Sequence, residues 1–265
     1  MNKNTFTTIS LSQGEVHVYD FGSVKLHAYQ TGDPLADEVF VVEKDGKAVV
    51  LEAPCFRDSI RALADYLRDT SLEVTGLLLA YHMAGATLLP GVKRYATRNA
   101  DEYGHSGGGK SLIDGFAAAF GDAFDSSIHT VTDYLEDGTV TIGGIQFVIH
   151  QTQEAFDVEI PAINAVYTHM LGHDCHSIVA GASHADAIIG QLKDYLSKGY
   201  DMILTSHYTP EDLKDVRTKI DYLENLKQIA GRCGNADAFK AEVRKAYPGY
   251  SGENYLDMTA GFFFG

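Results

Sequence analysis

Two apolar runs in this chain end in a histidine: "GLLLAYH" closes on His82 and "YDMILTSH" closes on His207. A strand buried on both faces delivers its last residue to a sheet edge where loops gather, the usual place for ligands and substrates. Imidazole suits the work there, because it ligates zinc and exchanges protons near neutral pH. A third stretch, "HMLGHDCH", spaces His169, His173 and His176 at i, i+4 and i+7. One helical face would collect them, but "AVYTHML" reads as a strand and Gly172 interrupts the helical phase. His176, followed by Ser177 and "IVAG", reads as a packed or capping residue. Tyr81 and Tyr208 adjoin the two strand-terminal histidines and each offers a phenolic hydrogen bond to a bound small molecule.

A different chemistry is spelled by "GHSGGGKS", residues 104–111, which matches the phosphate-binding pattern GxxxxGK[ST]. Such a loop must be fed by a buried strand. The preceding "RNADEY" is polar, and no apolar strand ending in Asp follows to orient magnesium. A glycine-rich loop without nucleotide is the expectation.

The elements that would position these residues alternate. Strand-like runs "EVHVYDF", "VKLHAYQ" and "EVFVVEKDGKAVVLEA" come first, with Asp-Gly forming a tight hairpin turn. In "CFRDSIRALADYLRDT" the residues Ile60, Leu63, Ala64 and Leu67 share a helical face. A helix is expected from Ser111 to Phe124. A second strand block, "YLEDGTVTIGGIQFVIHQT", leads to the strand candidate "AINAVYTHML" and the helix "HADAIIGQLKDYLSKG", stopped by Gly199. "TPEDLKDVRTKIDYLENLKQIAGRCG" reads as a helix with Pro210 near its start. A helix "ADAFKAEVRKAYP" and the tail "GFFFG" follow; the tail either fills the core or forms a contact between copies of the chain. The expected organisation is one domain over 1–265 with a C-terminal helical extension from about 210. Two sheets packed face to face with helices outside would bring His82 and His207 to one rim.

Taken in order, these blocks resemble the metallo-β-lactamase superfamily, an αββα sandwich whose members are mostly metal-dependent hydrolases. "AVVLEAP" is similar to the family strand that ends in an Asp-containing turn, and Glu52 stands at that place; a solvated turn is the expectation for it, a supporting role at the site the alternative. "GLLLAYHMAGATLLPGVKRYAT" resembles the strand and loop carrying HxHxDH, and "MILTSHYTP" the strand ending in the last ligand histidine. The stretch from "EIPAINAVYTHML" to "KDYL" is closer to the alkylsulfatase-like branch. The resemblance therefore implies an α/β, four-layer αββα sandwich.

The signature itself is degraded. With His82 as the first histidine, Ala84, Ala86 and Thr87 fill the slots of His, Asp and His; aligning the trailing "AGA" instead makes His82 the second. Either register removes the Asp and at least two imidazoles, so a dinuclear zinc site is not expected. Remaining donors are His82, His150, Glu154, Asp157, His169, His173, Asp174, His176 and His207. Counted back from His176, the branch's carboxylate ligand falls on His169. The resemblance thus implies His82, His169 and His207 around one zinc or other divalent ion, with Asp157, His173 and His176 as additional candidates; the alternative is a cleft with no metal. The corresponding functions are a hydrolase of a small ester, sulfate or lactone with a remodelled mononuclear site, or a pseudoenzyme that binds a small molecule. A metal-free enzyme using His and acidic groups is a third reading.

Composition bounds the partners. The formal net charge of −15 over 265 residues, with no Lys/Arg run, disfavours nucleic acid and anionic membranes. Three cysteines, Cys55, Cys175 and Cys233, form no CxxC pair and read as reduced thiols. No apolar leader core is evident, and the expected location is cytoplasmic.

Overall fold

The computed structural model describes residues 3–169 and 172–265. The first sheet contains eight strands in sequence order: β1 (Thr7–Ser10), β2 (Glu15–Asp20), β3 (Lys25–Gln30), β4 (Glu38–Lys44), β5 (Lys47–Leu51), β6 (Glu73–Leu78), β7 (Arg94–Ala96) and β8 (Asp133–Tyr134). β1 to β5 form an antiparallel meander, and β5 to β8 are parallel. The β4–β5 hairpin turns through Asp45 and Gly46, both at positive φ, as Asp-Gly predicts.

The second sheet holds β9 (Gly138–Ile142), β10 (Ile145–Gln151), β11 (Phe156–Ile160), β12 (Ala165–Thr168), β13 (Met202–Thr205) and β14 (Tyr208–Glu211). Its β12 and β13 run parallel, with Thr168 opposite Thr205, so both strands finish at the same edge. One continuous core joins the sheets: Val41, Val50, Leu63 and Leu78 from the first part of the chain, Phe147, Ile149, Tyr167 and Leu204 from the second. The fold class is the expected mixed α/β arrangement of two large sheets and helices.

Contacts divide the chain into two compact units, residues 1–170 with 202–210, and residues 171–201 with 211–265. The second unit thus takes in residues 171–201 as well as the segment expected as a C-terminal extension. The first unit carries α1 (Arg57–Asp69), which buries Ile60, Leu63 and Leu67 as the helical spacing requires, then α2 (Arg98–His105) and α3 (Gly108–Phe120). α3 starts three residues earlier than expected and gives way to a short 3-10 turn over Gly121–Ala123.

The second unit comprises α4 (Ala182–Lys198), α5 (Leu213–Arg232), α6 (Ala236–Ala246) and α7 (Glu253–Phe264). Gly199 caps α4 in the left-handed conformation. Pro210 does not open α5. It lies within β14, at the sheet edge where a residue without an N–H is tolerated, and α5 begins at an Asp212/Asp215 capping box. The "GFFFG" tail is the end of α7, where Phe263 and Phe264 pack on buried Phe239 while Phe262 stays exposed. All three cysteines are free thiols. Among the described residues no helix is long and apolar enough to cross a membrane.

Candidate metal centre

Three imidazoles meet in the first unit. His82 follows the turn after β6, His169 is the first residue after β12, and His207 lies two residues past β13. The Nε2 atom of His169 is 3.4 Å from Nε2 of His82 and 3.3 Å from Nε2 of His207. The donor atoms of all three lie within 4.8 Å of one another. Parallel pairing brings His169 and His207 together, since β12 and β13 end side by side, while His82 comes from the end of β6 in the other sheet.

The spacing fits a tetrahedral ion. Nitrogens bound at about 2.0–2.1 Å in a tetrahedral shell sit about 3.3–3.4 Å apart. Two of the three pairs show that separation. His207 is also turned correctly for a ligand: its Nδ1 lies 3.1 Å from the Leu35 carbonyl and 3.3 Å from Asp37 Oδ1. Both are acceptors, so Nδ1 carries the proton and Nε2 presents its lone pair. Nδ1 of His82 is buried without a hydrogen-bond partner.

Two buried carboxylates hold this arrangement. Asp37, 2% exposed, would be pushed up by burial, but the His82 and His207 rings outweigh that and hold it below the usual range. Burial lowers His207, yet its bond to Asp37 and the Asp37 charge leave it raised overall. His169 is held well below its ordinary value, first by desolvation and then by the His207 and His82 rings, and so stays neutral. The loop bearing Asp37 is pinned to β13's end, because the Glu38 amide donates to the Ser206 carbonyl at 2.7 Å.

Glu52 is the second. It is fully buried, so it is not the solvated turn residue expected. Oε1 accepts from the Tyr81 amide at 2.8 Å and Oε2 from the His82 amide at 2.9 Å. The Tyr167 hydroxyl, driven well above its normal pKa by burial and by Glu52, keeps its proton and donates it to Oε1 at 2.5 Å. The Ser206 hydroxyl, 2.5 Å away, must then donate to the Tyr167 oxygen. One carboxylate therefore ties together the chain at His82, two residues before His169 and one before His207. Glu52 does so from φ +69°, a left-handed conformation uncommon for Glu.

The residues from Ala84 to Thr87 are bonded into the surrounding fold. Ala84 forms an isolated bridge with Ile128, the Ala86 amide donates to Ser127 O, and Thr87 donates from both N and Oγ1 to Asp125 Oδ2 at 3.2 and 2.6 Å. Arg94 fills the loop from the other side, reaching the carbonyls of Val92, Ala86 and Leu88 and the His129 Nδ1 at 2.8 Å. Gly85 is required here: at φ +83° a Cβ would stand 2.3 Å from the Pro54 carbonyl oxygen. Ala84, Ala86 and Thr87 thus form part of a protein wall.

The remaining candidates separate. Tyr81 stacks on His169, with ring centroids 4.5 Å apart, and its hydroxyl lies 3.3 Å from Thr152 Oγ1. Tyr208 opens β14 and lines a groove of about 340 Å³ beside His207 with Gln30, Asp37 and Thr209. Asp157 is buried on β11, where its charge helps burial raise the Tyr81 hydroxyl. His150 pairs with Glu159 at 2.9 Å. His176 belongs to the second unit, buried with Nδ1 3.0 Å from the Tyr222 hydroxyl, and His173 belongs there too, beside Glu211 and Asp215. Neither joins the three-histidine cluster. Residues 104–111 span the α2–α3 junction rather than following a strand, and Lys110 is taken by Asp114. Asp37, Arg94, Asp125 and His129 escaped sequence reasoning, because nothing local distinguishes them from surface polar residues.

No known family matches the sequence, and no curated protein matches it. Solved structures do. The stereoselective inverting sec-alkylsulfatase Pisa1 from Pseudomonas sp. superposes with a TM-score of 0.66 at 14% identity, covering 95% of this chain and 50% of that one. This chain has the metallo-β-lactamase fold. A metallo-β-lactamase from Erythrobacter litoralis gives a TM-score of 0.56 at 12% identity over 83% of this chain and 100% of the other. The DIM-1 metallo-β-lactamase gives 0.51 at 16% identity, covering 83% and 99%. The chain spans about half the length of the alkylsulfatase.

Proposed function

We propose that this protein is a metallo-β-lactamase-fold hydrolase of a small ester, sulfate or lactone, working with one divalent ion, zinc by preference. The observation that carries this reading is the 3.3–3.4 Å spacing of Nε2 atoms from His82, His169 and His207. Three imidazoles leave one tetrahedral position open, as in catalytic rather than structural zinc sites. When bound, zinc supplies Lewis acidity, polarising an ester oxygen and making water acidic near neutral pH.

The chain's own residues do the rest. The Leu35 carbonyl accepts the proton of His207 Nδ1, and the Asp37 carboxylate 3.3 Å away adds its charge, which keeps Nε2 free and the ring fixed. Glu52 fixes the backbone at Tyr81 and His82. Tyr81 lies flat against His169 and sets its ring plane. The neighbours' names, an alkylsulfatase and lactamases, agree with hydrolysis but not with any one substrate.

The test is a panel of aryl esters, alkyl sulfates and lactones, assayed with zinc-loaded protein, chelator-treated protein and His169→Ala. Turnover that needs both zinc and His169 is expected. Zinc binding without turnover on any class would instead favour a small-molecule binder.

A further inference from the structure

The second unit carries a donor set of its own. His173 Nδ1 lies 2.9 Å from Glu211 Oε1 and 3.6 Å from Asp215 Oδ1, and the donor atoms of the three fall within 4.8 Å of one another. Glu211 and Asp215 are 6% and 7% exposed, which is costly for two neighbouring carboxylates unless positive charge faces them. We propose that His173, Glu211 and Asp215 form a second divalent-cation site, which fastens the loop at 172–176 to the start of α5.

The site is built before an ion arrives. The His173 amide donates to Glu211 Oε1 at 2.7 Å, fixing the backbone beneath the imidazole. Lys219, 2% exposed, donates to the carbonyls of Gly172 at 2.9 Å and Cys175 at 2.7 Å, holding the loop on both sides of His173. Asp215 is held by the capping box, where Oδ2 accepts from the Asp212 amide at 2.9 Å and Oδ1 remains directed to His173. Glu211 and Asp215 are thus each oriented by a backbone amide and the loop under His173 by Lys219, and little ordering remains to oppose binding.

The chemistry selects the ion. One imidazole nitrogen and two carboxylate oxygens suit zinc, cobalt or manganese. Two carboxylates and a neutral imidazole carry charge −2, which one divalent ion neutralises. Binding displaces the Nδ1 proton of the His173 imidazolium to solvent, the neutral ring keeps its hydrogen on Nε2, and the ion takes the place that the Nδ1 proton holds between His173 and Glu211. Three protein ligands leave water to complete the shell. The groups lie within the second unit, so the role is to brace that unit, independent of the three-histidine centre.

Zinc chloride titrated calorimetrically into the chelator-dialysed full chain tests this. The variant carrying His82→Ala, His169→Ala and His207→Ala should still bind one equivalent, and its Tm should rise by a few degrees under excess zinc. Adding Glu211→Gln, which keeps the shape, should weaken that binding by at least about 100-fold, since one of three ligands loses its charge. Less than about one-tenth of an equivalent in a folded triple variant would overturn the proposal, as would zinc binding unchanged by Glu211→Gln together with His173→Gln. Should the triple variant not fold, Glu211→Gln in the otherwise unchanged chain must lose one equivalent, and equal stoichiometry overturns the site. Failure of the three-histidine reading looks different: the unaltered chain and the triple variant would then bind equally.

Discussion

Replacing Glu52 by glutamine perturbs the bond network that gathers the three histidines while changing almost no volume. In the native chain Oε1 accepts two donors and Oε2 one, and the whole side chain is out of water. Glutamine keeps one carbonyl oxygen. It satisfies most donors by leaving that oxygen with the Tyr81 amide and Tyr167, which turns its NH2 toward the His82 amide. Two donors then face each other in a buried place. A charge-assisted hydrogen bond is worth about 1.5–3 kcal/mol and a buried unsatisfied donor costs about 1–3 kcal/mol, so E52Q should destabilise by about 2.5–6 kcal/mol. The damage falls on His82, so zinc affinity should drop about 10–100-fold. Glu52→Ala and Glu52→Gly remove all three acceptors. At φ +69° a Cβ costs about 1–2 kcal/mol, so the glycine variant should be the more stable of the two, against the usual order. Urea unfolding gives the stabilities and zinc titration the affinities. An E52Q protein within about 0.5 kcal/mol of wild type and with unchanged zinc affinity would refute the clamp.

Other outcomes follow from the same geometry. Asp37→Asn leaves an acceptor for His207 Nδ1 but removes its charge, and zinc affinity should fall about 10–100-fold in a calorimetric titration. His129 has its pKa lowered to about 3, chiefly by burial and then by Arg94, so the unfolded chain takes up the proton first as pH falls below about 6.5. Its contribution is therefore lost progressively toward pH 3; stability should fall by about 2 kcal/mol between pH 7 and pH 5, and urea curves of His129→Gln should lack that share. Gly85→Ala meets the Pro54 carbonyl and should cost about 2 kcal/mol or more by chemical denaturation. Lys110→Ala removes only an exposed pair with Asp114, so its melting curve should match wild type, and ATP should give no calorimetric signal with either protein.

Strand ends were the legible part of this sequence. Apolar runs terminating in His82 and His207 imply that both rings reach one rim, and the ends of β6 and β13, one from each sheet, do bring the rings within 5.0 Å of each other. His169 joins them only through the family register, because the i, i+4, i+7 spacing in "HMLGHDCH" points to His173 and His176 instead, a grouping that the strand reading of "AVYTHML" and Gly172 already disfavour. The chain instead leaves β12 at Thr168, and His173 and His176 belong to the other unit. Glu52 was illegible for a physical reason: a lone acidic residue after a strand looks solvated until the pairing of β5 with β6 lays the Tyr81 and His82 amides over it. Asp37 and Asp125 share that difficulty, since their partners are distant in sequence. Pro210 misled because proline suits both a helix start and an edge strand, and only the Asp212 capping box fixes where α5 begins.

Zinc stoichiometry decides whether His82, His169 and His207 hold an ion together. Chelator-dialysed full-length protein and its His82→Ala, His169→Ala, His207→Ala variant are titrated with zinc side by side. The variant should bind one equivalent less than the unaltered chain, and the cobalt spectrum of the unaltered chain should contain a component that the variant lacks. Equal stoichiometry and identical cobalt spectra would contradict the three-histidine centre.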